Sequence, residues 1–135
     1  MTSRSHALQR RLIDFGVAVS ALSRRVPRDA AGRNASQQLV RAATAPAALY
    51  AEARDAESTV DYVHKVKMCI KELREAAVWL EVARRTSPDG TTTEPLEREC
   101  DELTAIFVTC VKKARAEPRK QSQERGANTR NETPV

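Results

Sequence analysis

Apolar residues return at steps of three and four in four successive blocks of this chain. Nothing between them alternates with the period of two that a half-buried strand needs. The first block covers residues 5–25, with Leu8, Leu12, Phe15, Val19 and Leu22 as its stripe. Pro27, Asp29 and Gly32 then read as a loop. The second covers residues 34–54 through Leu39, Ala42, Ala43, Leu49, Tyr50 and Ala53, with Asn34 and Gln37 placed as a cap and its back-reaching partner. In the third, Ser58-Thr-Val-Asp61 has the form of a capping box. Behind it Val63, Val66, Ile70, Leu73, Ala77 and Leu80 share a face, and Ser87-Pro-Asp-Gly90 stops the run. The fourth begins near Pro95, which a first turn tolerates. Its seam of Leu96, Cys100, Leu103, Phe107, Cys110 and Ala114 steps 4-3-4-3-4.

Four amphipathic helices with short connections predict an all-α fold, an antiparallel up-down-up-down four-helix bundle over residues 1–116. Beyond Pro118 almost no apolar residue remains. Residues 117–135 are therefore expected to form a disordered polar tail. One local rule is broken. Pro46 falls mid-pattern in the second helix, where it removes an N–H and crowds the preceding turn, so a kink or a break is expected there.

Composition narrows the chemistry. At 135 residues there is room for one domain. Four glycines and five aromatics argue against a Gly-rich phosphate cradle or a base-stacking platform. No apolar run approaches the roughly 18 residues of a membrane span. Cys69, Cys100 and Cys110 form no Cys-x-x-Cys pair and are odd in number. A reducing cytoplasm with buried thiols is the expectation. A di-iron bundle needs two Glu-x-x-His motifs and two more inward glutamates, which a single Asp61-x-x-His64 does not supply. No metal, no cofactor and no catalytic residue is expected. Glu72 and Glu75, three apart with Lys71 and Arg74 beside them, read as a solvated face.

The charge is uneven. Residues 1–54 hold nine Lys/Arg against three Asp/Glu, net +6, whereas residues 55–116 hold ten against twelve, net −2. At 100° per residue, Arg10, Arg11, Arg24 and Arg25 fall in one sector of the first helix, and Arg28, Arg33 and Arg41 follow. Together these seven form a candidate surface for nucleic-acid phosphates, bound by Coulomb attraction and counterion release. Further apolar residues lie off the core stripes: Ile13, Val17 and Ala21 on the first helix, Trp79, Val78, Val82 and Met68 on the third. Ile13, Val17, Ala21, Trp79 and Val82 are the expected homo-oligomer interface, with Trp79 exposed in a lone chain.

Residues 37–83 carry a resemblance. Gln38-Leu-Val-Arg41-Ala-Ala-Thr44, Tyr50-Ala-Glu52-Ala53, Ala56-Glu57-Ser58, Asp61-Tyr62-Val63-His64-Lys65, Lys71-Glu72, Glu75 and Trp79-Leu80 occur in order and spacing. This set resembles the bacterial four-helix-bundle proteins first noticed in intervening sequences of 23S ribosomal RNA genes. The resemblance implies a bundle assembling into a ring, commonly a pentamer, without established enzymatic activity. A related branch, the accessory variability protein of diversity-generating retroelements, implies a basic barrel that binds nucleic acid and a reverse transcriptase. Two positions depart from the family: Leu49 stands where a polar Asn is frequent, and Pro46 replaces a small or branched residue. The function expected is a non-enzymatic, ring-forming bundle contacting RNA or DNA through its first two helices. The alternative is an oligomeric protein-interaction scaffold that binds no nucleic acid.

Overall fold

Four helices follow one another in the computed structural model, which describes residues 3–88 and 91–117. They are α1 (Ser3–Ser23), α2 (Ala30–Arg54), α3 (Thr59–Thr86) and α4 (Glu94–Ala116), with no strand among the described residues. The connections at 24–29, 55–58 and 87–93 are too short to carry the chain back along a helix. Successive helices therefore run antiparallel, as an up-down-up-down bundle. No described helix is long and apolar enough to cross a membrane. The expected polar tail, Glu117 apart, lies outside the described residues.

The caps explain where the helices start. Ser58 Oγ accepts from the Asp61 N–H at 3.0 Å, as the capping box predicts. α2 begins four residues before the expected Asn34, because Asp29 Oδ1 accepts from the Gly32 N–H at 2.8 Å and caps the helix at Ala30. Gly32 thus lies inside the first turn instead of in a loop. A Cβ there would stand 1.7 Å from the Pro27 carbonyl oxygen, so only glycine fits. α1 ends at Ser23, two residues before the expected end, in turn bonds from Arg24 N to Ala21 O and Arg25 N to Leu22 O.

The core takes one stripe from each helix: Leu12, Phe15, Val19 and Leu22; Leu39, Ala42, Ala43 and Tyr50; Val66, Ile70, Leu73 and Leu80; Cys100, Leu103, Phe107 and Val111. Tyr50 and Phe107 meet edge-on, with ring centroids 5.3 Å apart. On α4 the buried fourth member is Val111, and Cys110 of the expected seam is only half-buried. A helix of 3.6 residues per turn drifts off a strict 3.5 repeat, and the drift turns the next residue inward.

α2 runs unbroken through Pro46, which is fully buried. Side-chain donors from both neighbouring helices meet this stretch. Gln9 Nε2 of α1 donates to the Ala47 carbonyl at 2.8 Å, and the Cys69 thiol of α3 donates to the Pro46 carbonyl at 3.6 Å. α2 packs most extensively on α3, and of the neighbouring pairs α1 and α4 touch least.

Candidate functional site

The seven expected phosphate-binding arginines separate into three groups. Arg11 reaches across to α4, where its Nε donates to Glu99 Oε2 at 2.8 Å and its Nη2 also bonds Glu102 at 2.6 Å. Arg41 reaches from α2 to α3 and pairs with Glu72 at 3.2 Å and with Glu75. Both guanidiniums are thus neutralised within the chain, and Glu72 and Glu75 are bridge partners instead of a free solvated face. The arginine bonds hold the Glu99 and Glu75 carboxyls below the ordinary carboxylate range. Arg10 stands alone. It sits about 20 Å down α1 from the helix end at the 1.5 Å rise per residue, so it does not share a site with Arg24 and Arg25. Those two lie past the last helical residue, and the shared helix sector expected for them is not formed.

Arg24, Arg25, Arg28 and Arg33 remain, all exposed and gathered around the α1–α2 connection. Among the described residues none of them has a carboxylate partner. Arg33 Nε donates to the Arg28 carbonyl at 2.7 Å, which folds its side chain back over the connection. The single acid of this segment, Asp29, is committed to capping α2. The positive end of the α2 dipole points at the same place.

The expected interface residues also divide. Ile13 is 40% and Val17 64% exposed, and Ala21 continues their line on α1. On α3, Val78 is 59% exposed beside half-buried Val82. Trp79 departs from expectation. Its ring is half-buried against the core of the same chain, and Nε1 donates to Glu75 Oε1 at 3.4 Å. Part of its surface and its N–H are therefore satisfied without a partner subunit.

Burial pushes the Cys69 and Cys100 thiols up to about 12, and each donates to a backbone carbonyl, so neither is a thiolate near neutrality. Burial beside Cys110 raises the Tyr62 phenol as well. Among the described residues no three His, Cys, Asp or Glu side chains lie close enough to hold a metal ion.

Where α1 and α4 part, a groove of about 650 Å³ opens between Leu8 and Ile106, with Tyr50 of α2 at its floor. Leu8 reads as core and Ile106 as off-seam in one dimension; only the splay of the two helices joins them.

The fold defines an all-α four-helix bundle protein. No protein-family model and no curated protein matches the chain. A solved structure from Bacteroides thetaiotaomicron VPI-5482, a protein of unknown function from the S23 ribosomal protein family, shares the fold with a TM-score of 0.66. It is 22% identical, and the match covers 78% of this chain and 98% of that one. The likeness at this identity is one of fold, and it agrees with the bundle implied by the resemblance of residues 37–83.

Proposed function

We propose that this chain is a non-enzymatic, ring-forming helical bundle that grips the phosphates of RNA or DNA through the α1–α2 end. The observation that supports this most is the set Arg24, Arg25, Arg28 and Arg33, four exposed guanidiniums within ten residues and without a carboxylate partner. Guanidiniums so placed bind phosphate oxygens in pairs of hydrogen bonds and release condensed counterions. With no aromatic in the segment, recognition is of backbone rather than base.

Ring formation draws on the apolar stripes. Ile13 and Val17 lie on α1 and Val78 on α3, and these two helices are diagonally opposed in the bundle. Two different patches on opposite sides favour a head-to-tail contact, which closes into a ring when the rotation allows. A ring would repeat the arginine set once per subunit and multiply a weak contact by avidity. The resemblance to retroelement accessory proteins makes a reverse transcriptase the first protein partner to try.

Light scattering and binding of a labelled oligonucleotide at low salt test both halves. The reading requires an oligomer at tens of micromolar that binds RNA or DNA with little sequence preference. An intact oligomer that binds neither would leave the scaffold alternative, and a monomer would end the ring.

A further inference from the structure

The α1–α4 groove lies at the opposite end of the bundle from the arginine set, and its lining is asymmetric. Leu8, Ile106 and the Tyr50 ring make an apolar trough, while the charged residues lining it are Arg4, Arg11 and Lys113, with no carboxylate among them. Arg11, at the inner end, spends its charge on Glu99 and Glu102. Arg4 and Lys113, one on each wall at the mouth, have no ion-pair partner among the described residues. From Arg4 to Arg11 is seven residues, or about 10 Å of trough. Its volume of about 650 Å³ falls in the range of small-molecule sites, which are mostly apolar with a few placed polar groups.

We propose that this groove binds a monomeric single-chain carboxylate amphiphile, with the carboxylate between Arg4 and Lys113 and the apolar chain running inward over Tyr50 toward Arg11. The free cations sit at one end only, which matches a ligand with a single anionic head. An acidic amphipathic helix would need cations along both flanks, and the inner end offers none unpaired. Tyr50 lines the trough and is otherwise buried in the core. Half-buried Cys110 lines the same trough and serves as a reporter.

The test is calorimetric titration of the full chain with dodecanoate below its micelle concentration, with dodecyltrimethylammonium as the control of opposite sign. One dodecanoate per chain should bind, the cationic analogue at least about tenfold more weakly. Bound dodecanoate should slow alkylation of Cys110 at least about fivefold. Joint Arg4→Glu and Lys113→Glu, both at exposed sites, should weaken dodecanoate at least about tenfold with helicity unchanged. Ile106→Asp, which places a carboxylate in the trough, should abolish binding. Equal binding of the two detergents, indifference to the charge reversals, or capture of anionic phospholipid vesicles without monomeric dodecanoate would overturn the proposal. So would a wild-type oligomer whose Cys110 is already shielded, since a second copy would then fill the groove.

Discussion

Arg11 on α1 grips Glu99 on α4 with two hydrogen bonds, Nε to Oε2 at 2.8 Å and Nη2 to Oε1 at 2.5 Å. This fork spans the least packed seam of the bundle and marks the point where the groove closes. It also leaves Arg11 outside the set of arginines proposed to bind phosphate.

The bridge should add little stability and should be sensitive to acid. The Arg11 side chain is 37% exposed, so Arg11→Ala is expected to cost at most about 1 kcal/mol. Glu99 has its carboxyl held below the ordinary value by Arg11. A lowered carboxyl stabilises the fold above its unfolded value and loses that contribution as pH falls through the folded one. Urea unfolding of wild type and Arg11→Ala should differ at about pH 7, and the gap should narrow as the pH falls below the ordinary Glu value of about 4.3. A gap that persists in acid would assign the cost to packing.

Gly32→Ala should reverse the sign that helix propensity assigns. Alanine inside a helix ordinarily gains about 1 kcal/mol over glycine. Here the added methyl would fall 1.7 Å from the Pro27 carbonyl oxygen. The variant is expected to lose more than about 1 kcal/mol in thermal or urea unfolding, and a stabilised variant would mean that the connection moves freely.

Phe107→Ala should cost about 3–5 kcal/mol, because the ring is fully buried and its loss leaves a cavity against Tyr50. Denaturant unfolding reads this directly. A cost under about 1 kcal/mol would show that the helices collapse into the space.

The thiols should separate by burial. With Cys69 and Cys100 buried and pushed up to about 12, a thiol reagent near pH 8 should modify Cys110 first in the folded chain. Denaturant should expose all three. Fast reaction of either buried thiol without unfolding would contradict the packing of α3 against α2 and α4.

Helix existence was legible because it depends on periodicity, and the Ser58 cap because its partners lie three residues apart. The start of α2 is not legible, since Gly32 reads as a breaker, and only the approach of the Pro27 carbonyl shows why a glycine belongs in that turn. The fates of Arg11 and Arg41 were not legible at all. Their carboxylate partners lie 88 residues away at Glu99 and 31 and 34 away at Glu72 and Glu75. Residue type says that an arginine is basic; only the fold says whether its charge is already spent. Trp79 shows the same limit, since α3 covers a wider face than one stripe and Glu75 waits one turn before the indole.

On the proposed function, the α1–α2 arginines, and not Arg11 or Arg41, hold nucleic-acid phosphate. The most direct measurement is the salt dependence of binding to a labelled RNA of about 20 nucleotides. Wild type is compared with a joint Arg24→Glu, Arg25→Glu, Arg28→Glu, Arg33→Glu variant and with Arg41→Glu. Each neutralised phosphate adds about −0.7 to the log–log slope. The fourfold variant should therefore lose affinity on every sequence and flatten the slope by up to about 3 per chain, while Arg41→Glu keeps the wild-type slope. If the fourfold variant binds with an unchanged slope, or Arg41→Glu flattens it as much, the phosphate-binding surface lies elsewhere and the account is wrong.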